Sequence, residues 1–127
     1  MPLMLRPLAR YLDFTGRSRR SEFWQFYLLI LLLTALCVVG GVIIERTTQL
    51  PGNEIGFHMV GYLDVVITVP VFAVMVRRLH DVGKSGWWLL AAFIPFGVLA
   101  LIMFWAREGT PGDNRFGPDP KATPVAL

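Results

Sequence analysis

Three apolar stretches, 23–44, 57–76 and 87–105, take up about half of the chain, and short polar segments separate them. Each is about 19–22 residues long. At about 1.5 Å of rise per residue, each can cross a hydrocarbon core of about 30 Å as one helix. A helix on the surface of a soluble domain alternates apolar and polar stripes. The first stretch, FWQFYLLILLLTALCVVGGVII, is apolar all round. The pattern therefore predicts an all-α integral membrane protein: one domain over residues 1–127, built as a bundle of three transmembrane helices. Residues 1–22 precede the bundle. There Leu5, Leu8 and Leu12 recur at helical spacing with Arg6 and Arg10 between them, which predicts a short helix lying at the membrane interface. From 106 onward the chain is polar and rich in turn residues, an irregular tail with too little apolar content to fold alone.

Composition agrees, with 54% hydrophobic residues and a mean hydropathy of +0.54. The net charge of +3 changes the picture only through where it sits. The basic residues lie at the ends of the apolar stretches, where lysine and arginine fix topology and meet anionic headgroups, so lipid rather than nucleic acid is the expected partner. Five arginines precede the first stretch, one lies in the first connection, three basic residues in the second and three in the tail. Three crossings with the N-terminus in the cytoplasm place eight of the twelve inside, against four for the reverse. That is the expected topology, multi-pass with the N-terminus cytoplasmic. Pro95-Phe96-Gly97 interrupts the third stretch, however. Proline removes a helical donor and glycine permits a reversal. A re-entrant hairpin there returns the tail to the cytoplasm and places eleven of the twelve basic residues inside.

The one cysteine, Cys37, lies within the first stretch and reads as a small apolar side chain. Ser18-Arg19-Arg20 resembles the start of a twin-arginine signal, but the apolar segment after it is too long and lacks a small-residue cleavage site. An uncleaved first span is expected.

The densest polar segment is Arg77-Arg78-Leu79-His80-Asp81-Val82-Gly83-Lys84-Ser85-Gly86, read as a cationic connection between the second and third spans. On a helix His80 and Asp81 point about 100° apart and need not pair. Gly83-Lys84-Ser85 matches the end of a phosphate-binding loop, but Arg78 stands where that loop needs its first glycine. No catalytic set, metal site or cofactor is predicted.

Three blocks carry a resemblance over nearly the whole chain. They are Phe14-Thr15-Gly16-Arg17-Ser18-Arg19-Arg20-Ser21-Glu22-Phe23-Trp24, the Arg77–Asp81 block continued by Gly83, Ser85-Gly86-Trp87-Trp88 and Pro95, and the run from Gly109 through Asn114-Arg115-Phe116-Gly117 to Pro120. With these the chain resembles the YhaH/YhaI-type family of small bacterial inner-membrane proteins, domain of unknown function 805. The resemblance implies a bacterial inner (plasma) membrane and a helical membrane fold, and no activity.

On the hairpin alternative all three blocks face the cytoplasm. Arg17, Arg20, Arg77, Arg78, His80, Asp81, Asn114 and Arg115 then form a candidate surface for anionic lipid headgroups or a phosphorylated ligand. Asp64 is the carboxylate within an apolar span, a candidate intramembrane polar site, and Pro70 is expected to free backbone groups of the same span for a neighbour. The expected function is that of an interaction, accessory or regulatory membrane protein, not an enzyme. Another membrane protein or a second copy is its expected partner. The alternative is an oligomeric transporter or channel using Asp64.

Overall fold

The structure, a computed structural model, describes residues 1–49 and 54–122. Those residues form a short helix α1 (Arg6–Ala9), two long helices α2 (Arg20–Thr48) and α3 (Glu54–Asp81), and a ten-residue helix α4 (Gly97–Ala106). Two 3₁₀ segments, Leu3–Leu5 and Gly86–Phe93, precede α1 and α4.

α2 and α3 run antiparallel, for Glu22 meets Arg77 at one end and Gly41 lies against Gly56 at the other. At that second end a Cβ on Gly41 would overlap the Gly56 backbone, so the two glycines let the helices touch. The Glu45 carboxylate, on α2, accepts a hydrogen bond from the Ile55 N–H at 2.8 Å and satisfies one of the orphan donors that open α3. Both helices exceed their apolar stretches, at 29 and 28 residues. Only 6% of the most apolar window of α2, and 22% of that of α3, is buried within the chain. A core helix of a soluble domain would be mostly covered, whereas here Leu28, Leu31, Leu32, Leu36, Tyr62 and Val65 face outward. Lipid is the solvent in which such a surface is at rest.

The third apolar stretch is not one spanning helix, so the expectation of three transmembrane helices is corrected to two helices long enough to span. The segment Gly86–Phe93 is 3₁₀, Phe96 turns the chain with φ 60°, and α4 starts at Gly97. Pro95 has no N–H to continue a helix. The legs close on each other at Gly97, where a Cβ would overlap the Ala91 carbonyl. Each leg is about 15 Å long, half of a hydrocarbon core. Two helices of the described residues are therefore long and apolar enough to cross a membrane, and the remainder forms a hairpin packed on α3.

The N-terminal helical segment is also shorter than its leucine spacing suggests. α1 ends at Ala9, and Leu12 is exposed beyond it. The segment packs against α2 and α3, and its Tyr11 hydroxyl donates to the Val66 carbonyl at 2.5 Å. Val66 is four residues before Pro70, so its carbonyl has no helical donor. The backbone group freed by Pro70 thus has a neighbour, supplied by the N-terminus. α2, α3 and α4 converge on one cluster of Phe23, Phe26, Val74, Leu79, Leu101 and Trp105, with Leu89 and Ala91 of the 3₁₀ leg packed against it. Phe23 and Trp105 lie with ring centroids 5.3 Å apart.

Candidate functional site

Directly beside this apolar cluster lies a polar one. α3 continues past its apolar stretch to Asp81, so Arg77, Arg78 and Asp81 sit on a helix and not in a connection as expected. Spacing of three residues brings Arg78 onto Asp81, and its Nη1 donates to Asp81 Oδ2. Arg17 reaches the other oxygen from 64 positions away, its Nε 2.9 Å from Asp81 Oδ1. One carboxylate thus joins two guanidiniums, and all three side chains are at most 3% exposed.

The remaining donors of these arginines hold the tail. Arg17 donates to the carbonyls of Thr110 and Gly112, each at 2.6 Å. Arg78 donates to the Trp105 carbonyl at 3.0 Å and to that of Arg107. The tail answers through Thr110, whose N–H and hydroxyl donate to the Asp81 carbonyl at 2.8 and 3.1 Å. Gly109 must be glycine, because a Cβ would overlap the Asp81 carboxylate. Gly112 and Gly117 turn the tail at φ 70° and 136°, and Asn114 and Gly117 pair in a single bridge.

Arg77 faces the N-terminus instead. Its Nε donates to Ser18 Oγ at 3.1 Å and its Nη1 to the carbonyls of Arg10 and Asp13. Glu22 accepts from the Ser18 hydroxyl at 3.0 Å and lies 3.8 Å from Arg77 Nη2, which makes no hydrogen bond. His80 closes the arrangement. Its Nδ1 is 3.1 Å from the Gly16 carbonyl oxygen, and its ring stacks on Phe116 with centroids 4.1 Å apart. Asn114 donates to the His80 carbonyl at 2.9 Å, and the Arg115 guanidinium lies over Phe116. At the rim Arg20 meets Glu108 at 3.2 Å, and Lys121 pairs with Glu108. Lys121 draws the Glu108 carboxyl below its ordinary value, and the Lys121 N–H does the same for Asp119. The Thr15 hydroxyl, with Arg10 beside it, holds Asp13 well below the usual carboxylate range.

All eight predicted surface residues therefore gather at one end of the α2–α3 pair. Arg17, Arg77, Arg78 and Asp81 do not form a surface, however: they are buried, and their charges are spent on one another and on backbone carbonyls. Arg20 and Arg115 are exposed. Sequence reasoning missed Ser18, Glu22, Gly109 and Thr110, although all but Glu22 and Ser18 lie in the third block and those two in the first. Asp64 stands apart, exposed on the outer face of α3 with Gly61 and Thr68. Among the described residues no group of His, Cys, Asp and Glu is placed to hold a metal ion. Chemically the arrangement is a clasp that ties the N-terminal block, the end of α3 and the tail together.

A helical membrane protein with two long apolar helices and a broken third element is the class that this fold defines. Residues 11–118 match the family model described as a protein of unknown function, DUF805. Inner membrane protein YhaH of Escherichia coli (strain K12) is 42% identical over 125 residues, covering 98% of this chain and 100% of that protein. Inner membrane protein YhaI of the same strain is 40% identical over 122 residues, covering 95% and 97%. The chain belongs to the DUF805 family. No solved structure matches it.

Proposed function

We propose that this chain is an interaction or accessory protein of a bacterial inner membrane, with two crossings, a re-entrant hairpin at Pro95-Gly97, and both the N-terminus and the tail in the cytoplasm. The observation that carries the reading is the clasp: Asp81 of the second block binds Arg17 of the first, and both bind Thr110 of the third, which requires the three blocks to share one side. The names of the relatives favour the inner membrane, and the hairpin topology places eleven of the twelve basic residues inside. The buried arginines act as ties. Arg20 and Arg115, exposed beside them, are the residues that meet anionic headgroups or an acidic partner face. No enzymatic activity is proposed. The test is a photocrosslinking side chain at Arg115 in living cells. Repeated capture of one defined membrane protein is expected, and capture of none contradicts an accessory role.

A second reading is favoured by Asp64. Its exposure on α3 leaves pairing to something outside this chain, and an unpaired carboxylate in hydrocarbon costs about 2.5–3.5 kcal/mol on insertion scales. A second copy meeting along Gly61, Asp64 and Thr68 makes an oligomeric transporter. That reading expects a defined oligomer and a proton-dependent flux that disappears in Asp64→Asn; a monomer without flux contradicts it.

A further inference from the structure

The end of the α2–α3 pair remote from the clasp has a groove of about 380 Å³, lined by Thr34, Val38, Val42 and Glu45 of α2 and by Phe57 and Val60 of α3. The α2 positions recur at spacings of four, four and three, so they form one stripe. Gly41 and Gly56 bring the two backbones into contact beside it. The stripe from Thr34 to Glu45 is about 16 Å long, the depth of one leaflet. Its walls are apolar apart from Thr34 at the deep end and, at the membrane-boundary end, the buried Glu45 at the close of the apolar stretch. The Ile55 N–H occupies one of the Glu45 oxygens, and a carboxylate has about four acceptor sites. Arg46, the next residue, is exposed at the same level.

An apolar channel one leaflet deep, closed by a carboxylate at headgroup level, is complementary to one kind of amphiphile. Its tail is an acyl chain, and its head carries a cation able to donate hydrogen bonds. An anionic head places like charge against Glu45, and a quaternary ammonium has no N–H to donate. A phosphoethanolamine head supplies the ammonium for Glu45 and a phosphate for Arg46. We propose that this groove seats one acyl chain of a phosphatidylethanolamine molecule, its primary ammonium on Glu45, in the leaflet opposite the clasp.

The experiment is native mass spectrometry of the purified full-length chain. Phosphatidylethanolamine, phosphatidylcholine and phosphatidylglycerol with identical acyl chains are added one at a time. One charge-assisted hydrogen bond corresponds to a preference of about ten- to a hundredfold for the ethanolamine head over the other two. Glu45→Gln keeps an acceptor for the Ile55 N–H and removes the charge, so the preference is expected to fall to about one. Val60→Phe fills the groove and lowers occupancy by all three lipids. Equal occupancy by the three heads on the unsubstituted chain overturns the assignment. A preference that survives Glu45→Gln also does so. If Glu45→Gln fails to fold, Val60→Phe decides: undiminished phosphatidylethanolamine binding in it places the lipid elsewhere.

Discussion

The two ends of the α2–α3 pair are held by opposite means. At the clasp end Arg17, Arg77, Arg78 and Asp81 are buried; Arg17, Arg77 and Asp81 are bonded to segments more than 60 positions away in sequence, and Arg78 reaches Trp105 and Arg107. At the remote end two glycines touch, and among the described residues a hydrogen bond from the Ile55 N–H to the Glu45 carboxylate joins the helices. The difference follows from what each end must hold. The remote end holds two continuous helices whose backbone groups are satisfied internally, and van der Waals contact suffices there. The clasp end must hold a tail with almost no backbone ladder of its own, so side chains have to satisfy its carbonyls.

The comparison breaks most sharply at Asp81. Asp81→Ala leaves two buried guanidiniums without their shared anion, and about 3–5 kcal/mol of stability is expected to be lost. Thermal unfolding in detergent, followed by tryptophan emission, reads that loss. The clasp differs from an isolated ion pair, because an apolar replacement of Arg17, Arg78 and Asp81 together also strands the carbonyls of Trp105, Thr110 and Gly112. Such a triple variant is expected to stay destabilised; full recovery would show that the charges serve only one another. Next in size is a matched pair of glycine substitutions. Gly109→Ala strikes the Asp81 carboxylate and Gly41→Ala strikes the Gly56 backbone, each costing about 1–3 kcal/mol by overpacking. Limited proteolysis separates them, because only Gly109→Ala is expected to release the tail.

Smaller effects test the edges of the clasp. Tyr11→Phe removes the donor to the Val66 carbonyl and is expected to cost about 0.5–1.5 kcal/mol. The partner substitution Pro70→Ala restores the helical N–H at that carbonyl, so Tyr11→Phe in that background is expected to cost less. Smallest is the pH dependence from Asp13. Its folded carboxyl titrates below the ordinary 3.8, so its contribution is present above that pH and fades as pH falls through the lower folded value. The pair with Arg10 is more than a third exposed, so solvent screening leaves only about 0–1 kcal/mol to lose. Asp13→Asn is expected to flatten the acid limb of a stability–pH curve.

Much of this fold was legible in the chain because membrane spans are written in composition. The two long helices follow from stretches of apolar residues that no soluble helix needs, and the interruption at Pro95-Phe96-Gly97 marked where the third stretch gives way. The arrangement at the clasp was only half legible. Charge rules place Arg17, Arg77 and Arg78 at one and the same end of the spans, but they treat arginine as an anchor facing headgroups. Whether a guanidinium faces out or in depends on acceptors brought by distant segments: Asp81 for Arg17, the Asp13 carbonyl for Arg77, the Arg107 carbonyl for Arg78. Backbone carbonyls have no sequence signature, so the ties to Asp13 and Arg107 left no local trace. Tyr11 is the converse case. Pro70 announced a freed carbonyl, and only the fold of the N-terminal segment named the donor.

The central claim is that the N-terminal block, the end of α3 and the tail lie together on one side of the membrane. Paired reporters that work only in the cytoplasm or only in the periplasm, fused in turn to the N-terminus and to the end of the tail, test it most directly. Cytoplasmic signals from both ends are the predicted result. A cytoplasmic N-terminus with a periplasmic tail contradicts the account, because Arg17 and Thr110 would then be separated by the bilayer.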